Sequence, residues 1–235
     1  MRQAPCLADM FRRMALSFSP SLVIFDCDGV LVDTEPVAGR VFAEGAIELG
    51  YPAGFDECLH TFRGRSMASA VEIIERRTGS PVPEGWADAM WRRTEEAFAN
   101  GVVPIAGVAD AVSHIQRRGV PFCLASSGEM PFIHRNLKSA GLFDYFDGRM
   151  FNAAMVARGK PAPDLFLHAA KEMGHAPEAC LVIEDSLPGV QAAVAAGMPV
   201  IGYAGDPLTD AGALKSEGAH VISDMSALPQ LLGLK

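Results

Sequence analysis

Seven side chains in this sequence are of types that do chemistry and follow directly on apolar runs or tight turns. Asp26 closes the segment Ser21–Asp26, and Cys27, Asp28 and Gly29 follow it. Ser126, Ser127 and Gly128 follow Val120–Ala125, Lys160 stands in Gly159-Lys160-Pro161, and Glu184 and Asp185 follow Cys180–Ile183. Taken singly, each is what an ordinary turn, helix cap or solvated loop supplies. Brought to one place, four carboxylates repel strongly unless a cation sits among them. Oxygen donors with no Cys or His cluster favour Mg2+. Four ionised acids set against Mg2+ and Lys160 leave the site slightly negative, a charge relieved if one acid keeps its proton. Serine hydroxyls and backbone N–H groups beside the metal suit a phosphoryl group bridged by metal and lysine. Carboxylates two residues apart at a strand end project to the same side. One can attack phosphorus while the other handles the leaving-group proton, and Gly29 lets the chain turn sharply past them.

For these groups to meet, the elements carrying them must end on one edge. Leu22, Val23, Ile24 and Phe25 form a continuous apolar run, the pattern of a strand buried on both faces of a parallel sheet. Val120–Ala125 and Cys180–Ile183 repeat it, and Pro199–Tyr203 and His220–Ile222 are weaker copies. Helical patterns over Val108–Arg118, Ile133–Ala140, Asp164–Met173 and Val190–Ala196 separate them, several ending at a glycine (Gly119, Gly141, Gly174, Gly197). Strand and helix in alternation predict an α/β fold, a doubly wound, Rossmann-like parallel sheet, whose ligands bind outside the carboxyl ends of the strands. Between Pro36 and about Val103 the strand signal stops. Val37–Leu49, Ser66–Thr78 and Glu84–Ala99 have amphipathic helical patterns, punctuated by Gly50-Tyr51-Pro52, Gly79-Ser80-Pro81 and Asn100-Gly101. The expected organisation is a discontinuous core domain, 20–35 and 104–235, a small α-helical cap domain over 36–103, and an N-terminal extension over 1–19. That extension is expected to be loose, or the chain to begin at Met14; no long apolar stretch in it marks a secretory signal.

Composition narrows the partners. The chain has 235 residues, 49% of them hydrophobic and 20% charged, which excludes wholesale disorder. Lys and Arg total 20 against 28 Asp and Glu, a net charge of −8 that disfavours a nucleic-acid partner. Five scattered cysteines without a CxxC argue against a disulfide framework or structural zinc and fit a reducing, cytoplasmic setting. No apolar run approaches the roughly 18 residues of a membrane helix. The expected partner is a small phosphorylated molecule, and the expected state a monomer or weak homo-oligomer.

The motifs also carry a resemblance. LVIFDCDGVLVDTE (Leu22–Glu35), Ser126 in CLASSG, Lys160 in GKPAPDLF and Glu184-Asp185 in VIEDSLPGV resemble, in order and separation, the four signatures of the haloacid dehalogenase-like phosphohydrolases. The resemblance extends over residues 20–235 and is nearest to the β-phosphoglucomutase and phosphoglycolate phosphatase subgroup. It implies an aspartyl-phosphate on Asp26, with Asp28 as general acid and then base and also giving Mg2+ its backbone carbonyl. It implies that Ser126 and Lys160 hold phosphate oxygens, that Ser127 and Gly128 offer backbone N–H groups, and that Glu184 and Asp185 complete the metal site with Asp26. The cap would contact substrate, with Arg63 and Arg65 as its cationic candidates.

Three other activities are compatible with parts of this pattern. A phosphomutase shares the core chemistry, but the β-phosphoglucomutase pattern implied by the resemblance has a His four residues after the hinge Thr and an Arg after a Gly-x-Ser loop. Here Ala38 follows Thr34 at that spacing, and Met67 follows Gly64-Arg65-Ser66. A phosphoryl-accepting signalling module is shorter, lacks a helical insert and does not need a second Asp after the nucleophile. A dehalogenase needs neither Asp28 nor a metal.

Overall fold

The computed structural model describes residues 19–62, 67–98, 101–207 and 209–233. The elements run, in chain order, β1 (Leu22–Phe25), β2 (Val32–Asp33), α1 (Glu35–Glu48), α2 (Phe55–Phe62), α3 (Met67–Thr78), α4 (Trp86–Phe98), β3 (Val103–Pro104) and α5 (Val108–Arg117). They continue as β4 (Phe122–Ser126), α6 (Met130–Ser139), α7 (Phe143–Phe146), β5 (Met150–Asn152), α8 (Asp164–Glu172), β6 (Cys180–Glu184), α9 (Leu187–Ala195), β7 (Val200–Tyr203), α10 (Ala211–Ser216), β8 (His220–Ile222) and α11 (Leu228–Leu231). The chain divides into two compact units, Met1–Val32 with Pro104–Lys235, and Asp33–Val103.

The first unit is a six-stranded sheet in the order β5-β4-β1-β6-β7-β8, every pairing parallel. This is the α/β doubly wound fold. Counted within the sheet alone, the strands follow the order 3-2-1-4-5-6, which reverses direction between β1 and β6, the place where such sheets bind ligands. The apolar run of β1 is continuous because both faces are covered, alternate residues pointing to opposite sides. Leu22 and Ile24 enter a core with Leu165, Phe166 and Ala169 of α8 and Val190, Ala192 and Ala193 of α9. Phe25 meets Phe122 and Phe146 edge-on at 6.4 and 5.9 Å.

Among the described residues the second unit is four helices around a core that includes Val41, Tyr51, Cys58, Phe62, Ile74, Trp86 and Met90. Gly45 of α1 allows the close approach of α4, since a Cβ there would run into Met90. Several short elements have no counterpart in the sequence pattern, α2 and β5 among them. Helix α2 begins at Phe55, just after the Gly50-Tyr51-Pro52 turn, and β5 is three residues long, too short to show a run. Helix α9 begins at Leu187 rather than Val190 because the Ser186 side chain accepts the Gly189 N–H and caps it there.

Candidate active site

Asp26 is carried by the end of β1. Its N–H still bonds to the Ile183 carbonyl at 3.0 Å, so the ladder to β6 persists one residue past the strand. The chain then wraps on the Cys27 carbonyl, which accepts from Leu31 and Val32 at 2.8 and 3.1 Å. Gly29 makes that turn with φ +76°, a left-handed conformation, and a Cβ at this position would overlap the Asp185 carboxylate. The glycine therefore serves the turn and also the seating of the acid on the neighbouring strand. Cys27 is fully buried and burial holds its thiol well above the ordinary range, so it offers no thiolate nucleophile.

Lys160 ties this loop to β6. Its Nζ donates to Asp26 Oδ1 at 2.5 Å and to Glu184 Oε1 at 2.6 Å, and it lies 4.9 Å from the centre of the Phe166 ring. Glu184 is wholly buried. Its other oxygen, Oε2, accepts from the Ser186 N–H at 2.7 Å and the Ser186 hydroxyl at 2.9 Å. A Cβ at Gly189 would overlap this carboxylate, so the first turn of α9 must carry a glycine there. The Lys160 loop is strapped outside the site by Arg158, whose Nε and Nη2 donate to the two Asp164 oxygens at 3.1 and 2.7 Å.

Burial pushes the Asp26 carboxyl up to about 7, against the pull of the Lys160 ammonium beside it; Glu184 and Asp28 add to the rise. For Lys160 burial acts to lower the pKa, but Asp26 and Glu184 outweigh it and carry it above the ordinary lysine value. The lysine is therefore a fixed cation. One oxygen each of Asp26, Glu184 and Asp185 lie within 4.8 Å of one another. Three carboxylates and one ammonium leave a surplus of negative charge, and the donors are all hard oxygens, so the set fits a divalent cation.

Across β1 from β6, the end of β4 supplies the hydroxyl. Ser126 is 1% exposed and pairs in register with Asn152 of β5. The Gly128 N–H donates to Ser126 Oγ at 3.0 Å, and the Gly128 carbonyl accepts from Asn152 Nδ2 at 3.1 Å. The Gly128 N–H, expected as a donor to substrate, is in this structure accepted by Ser126 Oγ as the turn folds back. Ser127 is exposed beside it. The Asp28 carboxylate faces this turn, its Oδ2 3.8 Å from the place of a Gly128 Cβ. The structure thus brings Asp26, Lys160, Glu184 and Asp185 together, and sets Asp28 against the Ser126–Gly128 turn. Arg63 and Arg65 lie outside the described residues. The sequence assigned no role to Ser186, which follows Glu184-Asp185, or to Gly189 and Asn152. The Ser-x-x-Gly spacing of the first two is a recognisable helix start, whereas nothing in the sequence marks the third.

An α/β enzyme that works on an anionic group, between an acid cluster and a lysine at the switch point of its sheet, is the class this edge defines. A family model described as haloacid dehalogenase-like hydrolase matches residues 20–197. The chain is 32% identical over 181 residues to hexitol phosphatase A of Escherichia coli, covering 76% of this chain and 80% of that one. It is 29% identical over 186 residues to the 6-phosphogluconate phosphatase of the same organism, covering 79% and 83%. Among solved structures, a conserved haloacid dehalogenase-like protein from Agrobacterium tumefaciens superposes with a TM-score of 0.82 at 35% identity, over 91% of this chain and 97% of that one. The chain belongs to the haloacid dehalogenase-like hydrolases, and it is an enzyme that hydrolyses phosphoric monoesters. Among the described residues no helix is long and apolar enough to cross a membrane.

Proposed function

We propose that this chain is a Mg2+-dependent phosphatase that releases inorganic phosphate from a small phosphorylated metabolite, a sugar phosphate or related acid, through an aspartyl-phosphate on Asp26. The observation that carries this reading is the buried pairing of Lys160 with both Asp26 and Glu184, beside Asp185. Asp26, Glu184 and Asp185 would hold the Mg2+, with the Asp28 backbone carbonyl. When bound, the ion supplies charge neutralisation for the phosphoryl oxygens and for the attacking carboxylate.

Lys160 occupies Asp26 Oδ1, which leaves Oδ2 as the attacking atom. Oδ2 bonds to phosphorus while the bond to the ester oxygen breaks, and Asp28 delivers its proton to that departing oxygen. Asp28, now ionised, takes a proton from a water whose oxygen attacks the same phosphorus. The acyl-phosphate P–O bond breaks, phosphate leaves, and the Asp26 carboxylate is restored. Ser126 and Lys160 hold the non-reacting oxygens throughout. The relatives named for a hexitol phosphatase and a 6-phosphogluconate phosphatase support a polyhydroxylated substrate.

Ala38 and Met67 stand where the mutase pattern has a histidine and an arginine, and neither side chain can donate a hydrogen bond or carry charge. Water rather than a second sugar hydroxyl is therefore the acceptor. The test is a phosphate-release screen over phosphorylated sugars, sugar alcohols and sugar acids with Mg2+. It includes β-glucose 1-phosphate with a trace of the bisphosphate. Free phosphate is expected to form faster than glucose 6-phosphate; the reverse order would make the chain a mutase.

A further inference from the structure

Asn152 is out of place by the usual preferences of strands. It ends β5, the edge strand, and asparagine is depleted in strands. It is also 6% exposed, and a buried amide needs partners. Its register mate is Ser126, so its side chain stands beside the point where β4 gives way to the turn. From there Nδ2 reaches the Gly128 carbonyl at 3.1 Å. The same peptide-bearing residue gives its N–H to Ser126 Oγ at 3.0 Å. Gly128 is thus gripped at its carbonyl by one strand end and at its N–H by the other.

This grip has a consequence for Ser126. A hydroxyl has one proton to donate and two lone pairs to accept with. The Gly128 N–H occupies a lone pair, and among the described residues nothing accepts the proton of this 1% exposed side chain. The hydroxyl is held as a donor with its proton unspent, in a turn that also faces Asp28. We propose that Asn152 is a positioning residue of the reaction: by holding the Gly128 carbonyl it fixes the turn whose Gly128 N–H sets the Ser126 hydroxyl as the donor to a phosphoryl oxygen. The inference deepens the phosphatase reading and rests on it for the identity of the acceptor.

The experiment has one arm that needs no turnover. In Asn152→Asp the side chain keeps its size, but the ionised group cannot donate to a carbonyl; Asn152→Ala removes the contact altogether. Hydrogen exchange at the Gly128 amide is expected to be at least about tenfold faster in both variants than in the parent chain, as the local contact opens. Unchanged exchange in both would overturn the grip. The second arm measures hydrolysis of p-nitrophenyl phosphate with Mg2+. Both variants are expected to lose about 10- to 100-fold in kcat/KM, the scale of a small misplacement of a binding group. In a Ser126→Ala background the same Asn152 substitutions are expected to cost less than about twofold more, because the hydroxyl they position is gone. Full additivity of the two losses would refute the coupling and leave Asn152 a packing residue. Thermal melts of both variants separate this from loss of the fold. A parent chain that releases no phosphate from any ester would sink the phosphatase reading, while the exchange arm would still decide the grip.

Discussion

The two units treat charge in opposite ways. In the helical unit the ion pairs lie outside: Arg93–Glu48 at 2.8 Å, Arg77–Glu57 at 3.6 Å and Arg76–Glu72 at 3.7 Å, with every side chain at least 45% exposed. Its buried Thr94 spends its hydroxyl on the Met90 carbonyl of its own helix at 2.8 Å. The sheet unit instead buries a lysine between two carboxylates, all three side chains at most 11% exposed, with Asp185 beside them. Exposed pairs contribute only about 0–1 kcal/mol each. Burying charge costs stability unless each charge is matched, and apolar packing of the same volume does as well or better. Under the proposed function the cluster is held for its action on a phosphoryl group, whereas the ion pairs described in the helical unit stay in water.

The largest effect expected from breaking this contrast is at Asp26. Asp26→Asn leaves the shape of the site intact and replaces the attacking oxygen by an amide, so phosphate release should fall by more than about 10⁴-fold. Stability should move the other way. The folded chain holds the Asp26 proton up to about pH 7, where an ordinary aspartate has a pKa of 3.8. Between these values the folded state binds the extra proton, so the metal-free protein loses stability as pH rises through that window. Thermal melts in excess chelator at pH 5 and pH 8 should show a smaller loss for Asp26→Asn than for the parent chain. Equal losses would contradict the burial account.

Lys160→Met is next. It removes the cation while leaving Asp26 and Glu184 buried, a change of about 3–5 kcal/mol in unfolding free energy near neutral pH without metal. Urea denaturation in chelator checks this, and the deficit should shrink at pH 5 as the stranded Asp26 takes up its proton. The smallest effect sharpens the comparison from the other side. Arg93→Ala breaks the bidentate contact with Glu48, yet should cost less than about 1 kcal/mol and leave kcat/KM within twofold. A loss of several kcal/mol there would show that the surface pairs of the helical unit carry its stability.

The sheet and its chemistry were legible because they rest on long-lived signals in the chain. β1, β4 and β6 are continuous apolar runs, and the residue after each run is where a parallel sheet exposes its carboxyl edge. Asp26, Glu184 and Asp185 could therefore be gathered from the strand ends, whereas Lys160 stood out only by its turn, Gly159-Lys160-Pro161. The direction of a peptide in a turn has no such signal, and so the inward N–H of Gly128 was not foreseen. Nor were the clasp of Ser186 on Glu184, closed within one turn at the end of β6, or the reach of Asn152, which depends on which atoms two strand ends bring within 3.1 Å. The short β5 and the eight-residue α2 offer too few residues for a period to stand out. In the helical unit the same amphipathic pattern that fixes Ile74, Trp86 and Met90 in a core is silent about which exposed residue meets a substrate.

The measurement that bears most directly on the central claim is chemical trapping of the covalent intermediate. A phosphorylated sugar that the chain hydrolyses is mixed with it and Mg2+, quenched within the first turnover, and reduced with borohydride, which converts an aspartyl-phosphate to homoserine. Peptide mapping by mass spectrometry should find homoserine at position 26, in a yield that follows the burst of the first turnover, and none in Asp26→Asn. Homoserine at position 28 or 185, or a full burst of product with no residue reduced, would contradict Asp26 as the nucleophile.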